Sequence, residues 1–220
     1  MTLSERTASF IDLYDKGNCP FLDRLETESI AARVPIIRRG TASCLRFLIK
    51  LTKPKRILEI GTAVGFSALL MSEAADEEAH IDTIENYDKR IQAAKENFLR
   101  AEESGECNMK PGRITLYEGD ATEILRNLEG GYDMIFMDAA KAQYIVWLPD
   151  VLRLLKKGGL LVSDNVLQDG DVIESRFAVT RRNRTIHSRM REYLYELKHR
   201  DDLETVILQT GDGMTLSTKL

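Results

Sequence analysis

The stretch ILEIGTAVGFS, residues 57–67, decides the fold of this chain of 220 residues. It begins as an apolar run that is typical of a buried strand, passes through Gly61 and Gly65, and leads into the helical stretch Ala68–Ala75. Glycine lets the backbone turn tightly and approach a ligand closely. The amides at the start of the following helix favour an anionic group. The stretch therefore predicts a strand, a tight turn with a ligand, and a helix.

The residues around this turn narrow the kind of ligand. A dinucleotide site would have the pattern G-x-G-x-x-G, whereas this turn has G-x-x-x-G and lacks the middle glycine that admits a pyrophosphate. Glu59 would repel a phosphate and attract a cationic amino group. The next apolar run, HIDTIE at residues 80–85, ends in Glu85, an acid that can bind both hydroxyls of a ribose, and EGDA at residues 118–121 is suited to an adenine edge. S-adenosylmethionine, an amino acid joined to a nucleoside without phosphates, meets these requirements.

Strand and helix patterns alternate on both sides of the turn. Five predicted strands are centred on Ile57, Ile81, Ile114, Met134 and Leu160, and the predicted helices between them span 67–75, 87–104, 121–128 and 143–156. Such alternation implies an α/β fold with parallel strands and helices on both faces of the sheet. Two last runs, ETVILQ at 204–209 and MTLS at 214–217, flank an Asp-Gly turn and predict a closing hairpin.

Three helical patterns precede the first strand, at about 5–15, 22–33 and 38–51, and Pro20, Pro35 and Pro54 mark the breaks after them. We therefore expect one domain, 1–220, in which an N-terminal helical cap (1–53) covers a ligand-binding core (54–220). A chain of this length with 43% hydrophobic residues can bury a sizeable single core.

Two short polar segments come directly after apolar runs further along the chain. DAAK, residues 138–141, comes after YDMIFM, and DN, residues 164–165, comes after GLLVS. Ligands of open α/β sheets bind beyond the carboxyl ends of the strands, so these segments should meet at one mouth. Their oxygens suit a cation of the magnesium type, and a lysine beside such a cation can have a depressed pKa and act as a base. The alternative for each Asp alone is that it caps the next helix.

Taken together, these motifs resemble those of class I S-adenosylmethionine-dependent methyltransferases, and more narrowly the cation-dependent O-methyltransferases of the catechol and caffeoyl-CoA type. The resemblance runs from about Ala32 to the C-terminus through E-I-G-T-A-x-G-F-S, M-D-A-x-K and S-D-N. It implies a Rossmann-like methyltransferase fold with a mostly parallel seven-stranded sheet and an antiparallel last strand. One departure is Ala140, where plant members carry a second acid; this weakens the expectation of a phenylpropanoid-thioester substrate.

The resemblance also implies roles for individual residues. Asp138, Asp164 and Asn165 would bind the cation, which could be Mg²⁺, Mn²⁺ or Ca²⁺. Lys141 would be the catalytic base beside Asp138, although it could instead be a helix-start lysine that screens the carboxylates. The implied contacts with S-adenosylmethionine are Ile37, Glu59, Gly61, Thr62, Ser67, Glu85, Asp120, Ala121 and Asp138.

The segment 176–200, which we call the basic segment, differs in charge from the rest of the chain. It holds eight Arg or Lys and two Glu, so its net charge is +6, whereas the whole chain carries −4 and the remainder −10. This asymmetry suggests a polyanionic partner, with Arg181, Arg182 and Arg184 as the candidate RNA-binding residues. The alternative is a solvated helix face, or arginines paired with acids of the same or a second subunit.

The stretch RRNRTIH, residues 181–187, together with M-D-A-A-K-A-Q-Y and V-P-I, is similar to a bacterial branch of the family. Members of that branch methylate 5-hydroxyuridine at the wobble position of transfer RNA, which implies the tRNA anticodon loop as partner. The resemblance to the family as a whole implies a homodimer, formed through the N-terminal helices and the basic segment. A small-molecule catechol-type O-methyltransferase is the alternative. A nucleotide-binding module or dehydrogenase is a third hypothesis, which the missing glycine and the terminal hairpin disfavour.

The remaining composition bears on the cellular context. No apolar run is long enough to span a bilayer, and the first residues do not have the layout of a signal peptide. The three cysteines, Cys19, Cys44 and Cys107, are scattered and form no C-x-x-C. We therefore expect a cytoplasmic protein with reduced thiols, and no membrane partner.

Overall fold

The structure, a computed structural model, describes residues 3–220, so the first two residues of the N-terminal stretch on which the signal-peptide prediction rests lie outside it. One sheet organises the described chain. Its strands are β1 (Arg56–Ile60), β2 (His80–Glu85), β3 (Ile114–Glu118), β4 (Tyr132–Met137), β5 (Leu155–Asp164), β6 (Leu203–Leu208) and β7 (Met214–Lys219). They are ordered β3-β2-β1-β4-β5-β7-β6, with β7 antiparallel to both of its neighbours and the other pairs parallel. The predicted mostly parallel seven-stranded sheet with an antiparallel last strand is confirmed.

Eight α-helices accompany these strands in the described residues. They are α1 (Leu3–Asp12), α2 (Pro20–Ala31), α3 (Arg39–Thr52), α4 (Phe66–Ala74), α5 (Asp88–Ser104), α6 (Ala121–Asn127), α7 (Tyr144–Leu154) and α8 (Arg184–His199). The predicted helix 143–156 is too long at its C-terminal end. The helix α7 ends at Leu154 and β5 begins at Leu155, so Lys156 belongs to a strand. Lys156 pairs with Asp133 beside it on β4, a cross-strand contact that helical periodicity does not reveal.

The register of the parallel strands aligns their carboxyl ends. Ile60 of β1 lies opposite Ile84 of β2 and opposite Met137 of β4, and Met137 lies opposite Ser163 of β5. The central strands are buried on both faces, as the continuous apolar runs predict. The residues just beyond these strand ends therefore meet at one edge of the sheet, and the candidate site is built there.

The helical cap shares the hydrophobic core of the sheet. Leu22 of α2 and Leu45 of α3 belong to the same buried cluster as Ile57 of β1 and Leu69 of α4. The cap (residues before 54) and the rest of the chain therefore share one hydrophobic core, and residue 53 marks a boundary in the sequence only.

The basic segment contains α8, whose inward face is apolar. Met190, Tyr193 and Leu197 are fully buried against the sheet, and His187 is buried with its Nε2 at hydrogen-bond distance, 3.0 Å, from the carbonyl oxygen of Glu174. The charged residues of α8 lie on its other faces, so the segment is a structural helix as well as a charged surface.

The expectation that all three cysteines are reduced is wrong for two of them. Cys19, just before α2, and Cys107, in the loop after α5, form a disulfide with a Cα–Cα distance of 5.9 Å, and Cys44 has a free thiol. The two bonded residues are separated by 88 positions, so spacing rules could not pair them. Among residues 3–220, no helix is long and apolar enough to cross a membrane.

Candidate active site

The turn after β1 is shaped by close backbone contacts. Gly61 has a φ of +107°, and a Cβ there would overlap the carbonyl oxygen of Asp138, so only glycine fits. The amides of Gly61 and Thr62 both donate to the carbonyl oxygen of Ile84, at 3.0 and 3.1 Å. The amide of Asp138 donates to the carbonyl oxygen of Ile60 at 3.0 Å. These bonds fasten the ends of β1, β2 and β4 to one another.

A cavity of about 780 Å³ opens at this edge of the sheet, within the size range of ligand sites. Nine of the predicted site residues line it: Ile37, Gly61, Glu85, Asp120, Ala121, Asp138, Lys141, Asp164 and Asn165. The structure therefore brings together the residues predicted for the cation and most of those predicted for the cofactor.

Lys141 lies at the centre of the polar end of the cavity. Its Nζ donates to Asp138 Oδ1 at 2.6 Å, to the Tyr144 hydroxyl at 2.9 Å and to the carbonyl oxygen of Asp164 at 3.2 Å. Burial favours the neutral amine, but the interactions with Tyr144 and Asp138 outweigh it, so the pKa of Lys141 is raised. The sequence predicted a depressed pKa for Lys141. That prediction requires a cation bound to Asp138, because the cation would neutralise the carboxylate that raises the pKa of Lys141.

The oxygens of Asp138, Asp164 and Asn165 fit a hard divalent cation. Asp164 is buried, and desolvation together with the nearby Asp138 carboxylate raises its pKa to about 6. The Asp138 carboxylate disfavours the charged form of Asp164, so a further positive charge beside the two would stabilise both. Asn165 comes directly after Asp164 in the left-handed conformation, with a φ of +56°, which asparagine tolerates better than most residues. Neither Asp caps a helix, so the capping alternative does not apply to them.

Asp120 does behave as a cap. Its side chain accepts from the amide of Thr122 at 2.7 Å at the start of α6, and this hydrogen bond lowers the pKa of the carboxyl. Glu85 is held in a similar way, because its Oε2 accepts from the amide of Ala63 at 2.9 Å and its Oε1 from those of Asn86 and Tyr87 at 3.0 Å. Glu85 is thus fixed in place on the cavity wall.

Three predicted cofactor residues, Glu59, Thr62 and Ser67, are buried behind the cavity wall and do not line it. Glu59 is fully buried; its Oε2 accepts from the Thr83 hydroxyl, and its Oε1 has no hydrogen-bond partner among the described residues. Desolvation raises the pKa of Glu59 to about 7, against the opposing effects of the Ser67 and Thr83 hydroxyls. A direct role of these residues in cofactor binding stays a prediction.

Two residues acquire roles that sequence patterns did not indicate. Tyr144 is fully buried beneath Lys141, and its hydroxyl donates to the carbonyl oxygen of Met137 at 2.8 Å. Thr41 of the helical cap donates from Oγ1 to Asp164 Oδ1 at 3.1 Å. Trp147 of α7 is buried in the core and also lines the cavity, with its Nε1 donating to Thr122 Oγ1 at 3.1 Å.

The candidate RNA-binding arginines are not part of the cavity wall. Arg181 and Arg182 are exposed, and Arg184 is half-buried. The basic segment nevertheless reaches the site, because Arg189 of α8 donates to the carbonyl oxygen of Ala142, the neighbour of Lys141, at 3.0 Å.

The chain is similar to a protein family and to several solved structures. A family model described as O-methyltransferase matches residues 18–220. A catechol O-methyltransferase of Mycobacterium tuberculosis is 31% identical over 170 residues, which cover 75% of this chain and 73% of that protein. The crystal structure of a putative caffeoyl-CoA O-methyltransferase from Staphylococcus aureus has 31% identity and a TM-score of 0.87, covering 98% of this chain and 99% of that one. The SAH-bound Podospora anserina methyltransferase PaMTH1 has 28% identity and a TM-score of 0.85, covering 99% and 95%.

Proposed function

The chain belongs to the O-methyltransferase family, and on that premise we propose that it transfers the methyl group of S-adenosylmethionine to the 5-hydroxyl of 5-hydroxyuridine at the wobble position of transfer RNA, forming 5-methoxyuridine. The observation that carries the choice of substrate is the basic segment. Its net charge of +6 stands out in a chain whose remainder is −10. Arg189 of this segment contacts Ala142, the residue next to Lys141, and this contact supports a role of the segment beside the site.

The chemistry of the substrate suits the site. The 5-hydroxyl and 4-carbonyl oxygens of 5-hydroxyuridine are vicinal, like the two oxygens of a catechol, so both can approach one divalent cation. A wobble base lies in a single-stranded loop and can be splayed out at low cost. The phosphates around it would meet the exposed Arg181 and Arg182, giving an affinity that weakens with salt.

Each polar residue of the site has a separate role in the proposed reaction. A divalent cation held by Asp138, Asp164 and Asn165 would supply Lewis-acid activation of the substrate hydroxyl. Lys141, when neutral, accepts the hydroxyl proton at Nζ, and Tyr144 beneath it fixes the direction of that nitrogen. Bound S-adenosylmethionine would supply the methyl group, with the carbon–oxygen bond forming as the carbon–sulfur bond breaks. Much of the acceleration comes from holding donor and acceptor at near-attack distance.

A small-molecule catechol O-methyltransferase is the second candidate function. The Mycobacterium tuberculosis relative bears that name, and a catechol presents the same vicinal oxygens. A small catechol would not engage the exposed arginines of the basic segment, so this function gives the positive charge of that segment no role.

We also expect a homodimer. Large apolar side chains are exposed at the end of α1 and along α3, namely Phe10, Leu13, Tyr14, Phe47 and Leu51. Exposed apolar patches of this kind mark interaction surfaces. Light scattering behind size exclusion tests this expectation: a mass twice that of the 25.0 kDa chain supports it, and the chain mass alone contradicts it.

The experiment that tests the function compares substrates directly. Purified protein is incubated with labelled S-adenosylmethionine, Mg²⁺ and either 5-hydroxyuridine-containing tRNA or catechol. We expect methyl transfer to tRNA that is lost with EDTA and in Asp138→Asn. The matched control is Asp150→Asn, which changes an aspartate on α7 that lies outside the cavity and retains activity. Transfer to catechol with none to tRNA would contradict the proposed substrate and favour the second candidate.

A further inference from the structure

We propose that Thr41, contributed by the helical cap, is a positioning residue for the cation site: its hydroxyl fixes the carboxylate of Asp164. The inference rests on the proposed cation dependence, and it extends the site beyond the residues that sequence motifs mark. It also gives the cap a part in the chemistry of the core.

The hydrogen bond is well sheltered. Thr41 is the third residue of α3 and is fully buried, and its Oγ1 donates to Asp164 Oδ1 at 3.1 Å. Asp164 itself is only 5% exposed, so water has little access to compete for this oxygen. The bond joins residues that are 123 positions apart, from the cap and from the end of β5.

The turn between β6 and β7 lies close to the Thr41 hydroxyl. A Cβ at Gly211 would lie 2.5 Å from Thr41 Oγ1, so the backbone of that turn packs directly against the hydroxyl. Arg38, just before α3, forms an ion pair at 2.6 Å with Asp212 in the same turn. Two contacts therefore fasten the start of α3 to the turn and leave Thr41 little freedom to move away from Asp164.

Asp164 is fixed at two points by different parts of the chain. Its carbonyl oxygen accepts from Lys141 Nζ, which belongs to the core, at 3.2 Å. Its carboxylate accepts from Thr41, which belongs to the cap. Lys141 of the core thus fixes the backbone of Asp164, and Thr41 of the cap fixes the orientation of the Asp164 side chain.

This division predicts how the site responds to substitution. Hydrogen bonds that orient metal-binding side chains are worth about 10-fold to 100-fold in metal affinity. Thr41→Val keeps the shape of the side chain but removes the donor, so Asp164 can turn away. Thr41→Ser keeps the donor and removes only a methyl group.

The test measures cation affinity directly, by calorimetric titration of MnCl₂ into EDTA-stripped full-length protein. We expect Thr41→Val to weaken Mn²⁺ binding about 10-fold to 100-fold, and Thr41→Ser to stay within about 3-fold of the unsubstituted protein. Thr205→Val is the matched control, because Thr205 is a buried threonine on β6 whose hydroxyl bonds the carbonyl oxygen of Leu197, outside the cavity. Thr205→Val should lower thermal stability and leave Mn²⁺ affinity unchanged.

The outcomes separate the two proposals. Mn²⁺ binding by Thr41→Val equal to that of the unsubstituted protein would overturn the role of Thr41 while leaving cation dependence intact. Equal weakening in Thr41→Val and Thr205→Val would also overturn it, since the effect would then reflect stability alone. Absence of Mn²⁺ binding by the unsubstituted protein would overturn the cation dependence itself, and the role of Thr41 with it.

Discussion

Replacement of Glu59 by glutamine should change how stability depends on pH. Glu59 is fully buried, and desolvation raises its pKa from 4.5 to about 7. Because the folded-state pKa lies above the unfolded one, the folded state binds this proton more tightly. The contribution of Glu59 to stability therefore falls as the pH rises from about 4.5 to 7 and is constant above that window. At about 1.4 kcal/mol for each pKa unit, the loss between pH 5 and pH 8 is roughly 2 to 3 kcal/mol.

Urea unfolding at pH 5 and at pH 8, with EDTA present, measures this loss. Glu59→Gln cannot ionise, so its free energy of unfolding relative to the unsubstituted protein should be higher at pH 8 than at pH 5 by roughly 2 to 3 kcal/mol. Any cost of the new amide hydrogens is the same at both pH values and cancels in this comparison. Glu204→Gln is the control, because Glu204 is an exposed carboxylate on β6 and its replacement should give almost no such difference. A relative stability of Glu59→Gln that is independent of pH would refute the assignment of a buried, proton-binding Glu59.

Other expected outcomes arise from single features of the structure. Gly61→Ala should destabilise the protein by about 3 kcal/mol or more in urea unfolding, because the new Cβ would overlap the carbonyl oxygen of Asp138 and the backbone φ is +107°. Gly105→Ala is the control: it also has a positive φ but open space around it, so it should cost only about 1 kcal/mol. Equal costs for the two variants would contradict the crowding at Gly61. Thiol titration of the protein purified without reductant should find one thiol, Cys44, and three thiols would contradict the Cys19–Cys107 bond; reduction should lower the free energy of unfolding by about 2 to 4 kcal/mol. A triple alanine variant of the three candidate arginines should lower the slope of log affinity for tRNA against log salt by up to about 3, and an unchanged slope would exclude phosphate contacts by Arg181, Arg182 and Arg184.

The features that the sequence predicted are those encoded locally. The strand–turn–helix at 57–67, the acids after β4 and β5, and the closing hairpin each depend on neighbours within a few residues. The carboxyl ends of parallel strands must meet at one edge of the sheet, so this local information sufficed to bring Asp138, Lys141 and Asp164 into one cavity.

The features that the sequence missed come from contacts between distant segments. Thr41 and Asp164 are 123 positions apart in the sequence, and Cys19 and Cys107 are 88 positions apart. No sequence motif has separations of this length, so the pairs could not be recognised from spacing. The raised pKa of Lys141 likewise depends on Tyr144 beneath it and on Asp138 beside it, and only the packed structure shows this arrangement.

Nucleoside mass spectrometry of bulk transfer RNA, from cells with and without this protein, tests the proposed function most directly. We expect that loss of the protein removes 5-methoxyuridine and that 5-hydroxyuridine accumulates. The protein should restore the modification, whereas its Asp138→Ala and Lys141→Ala variants should not. An unchanged nucleoside profile in cells that make 5-hydroxyuridine would contradict the proposed function.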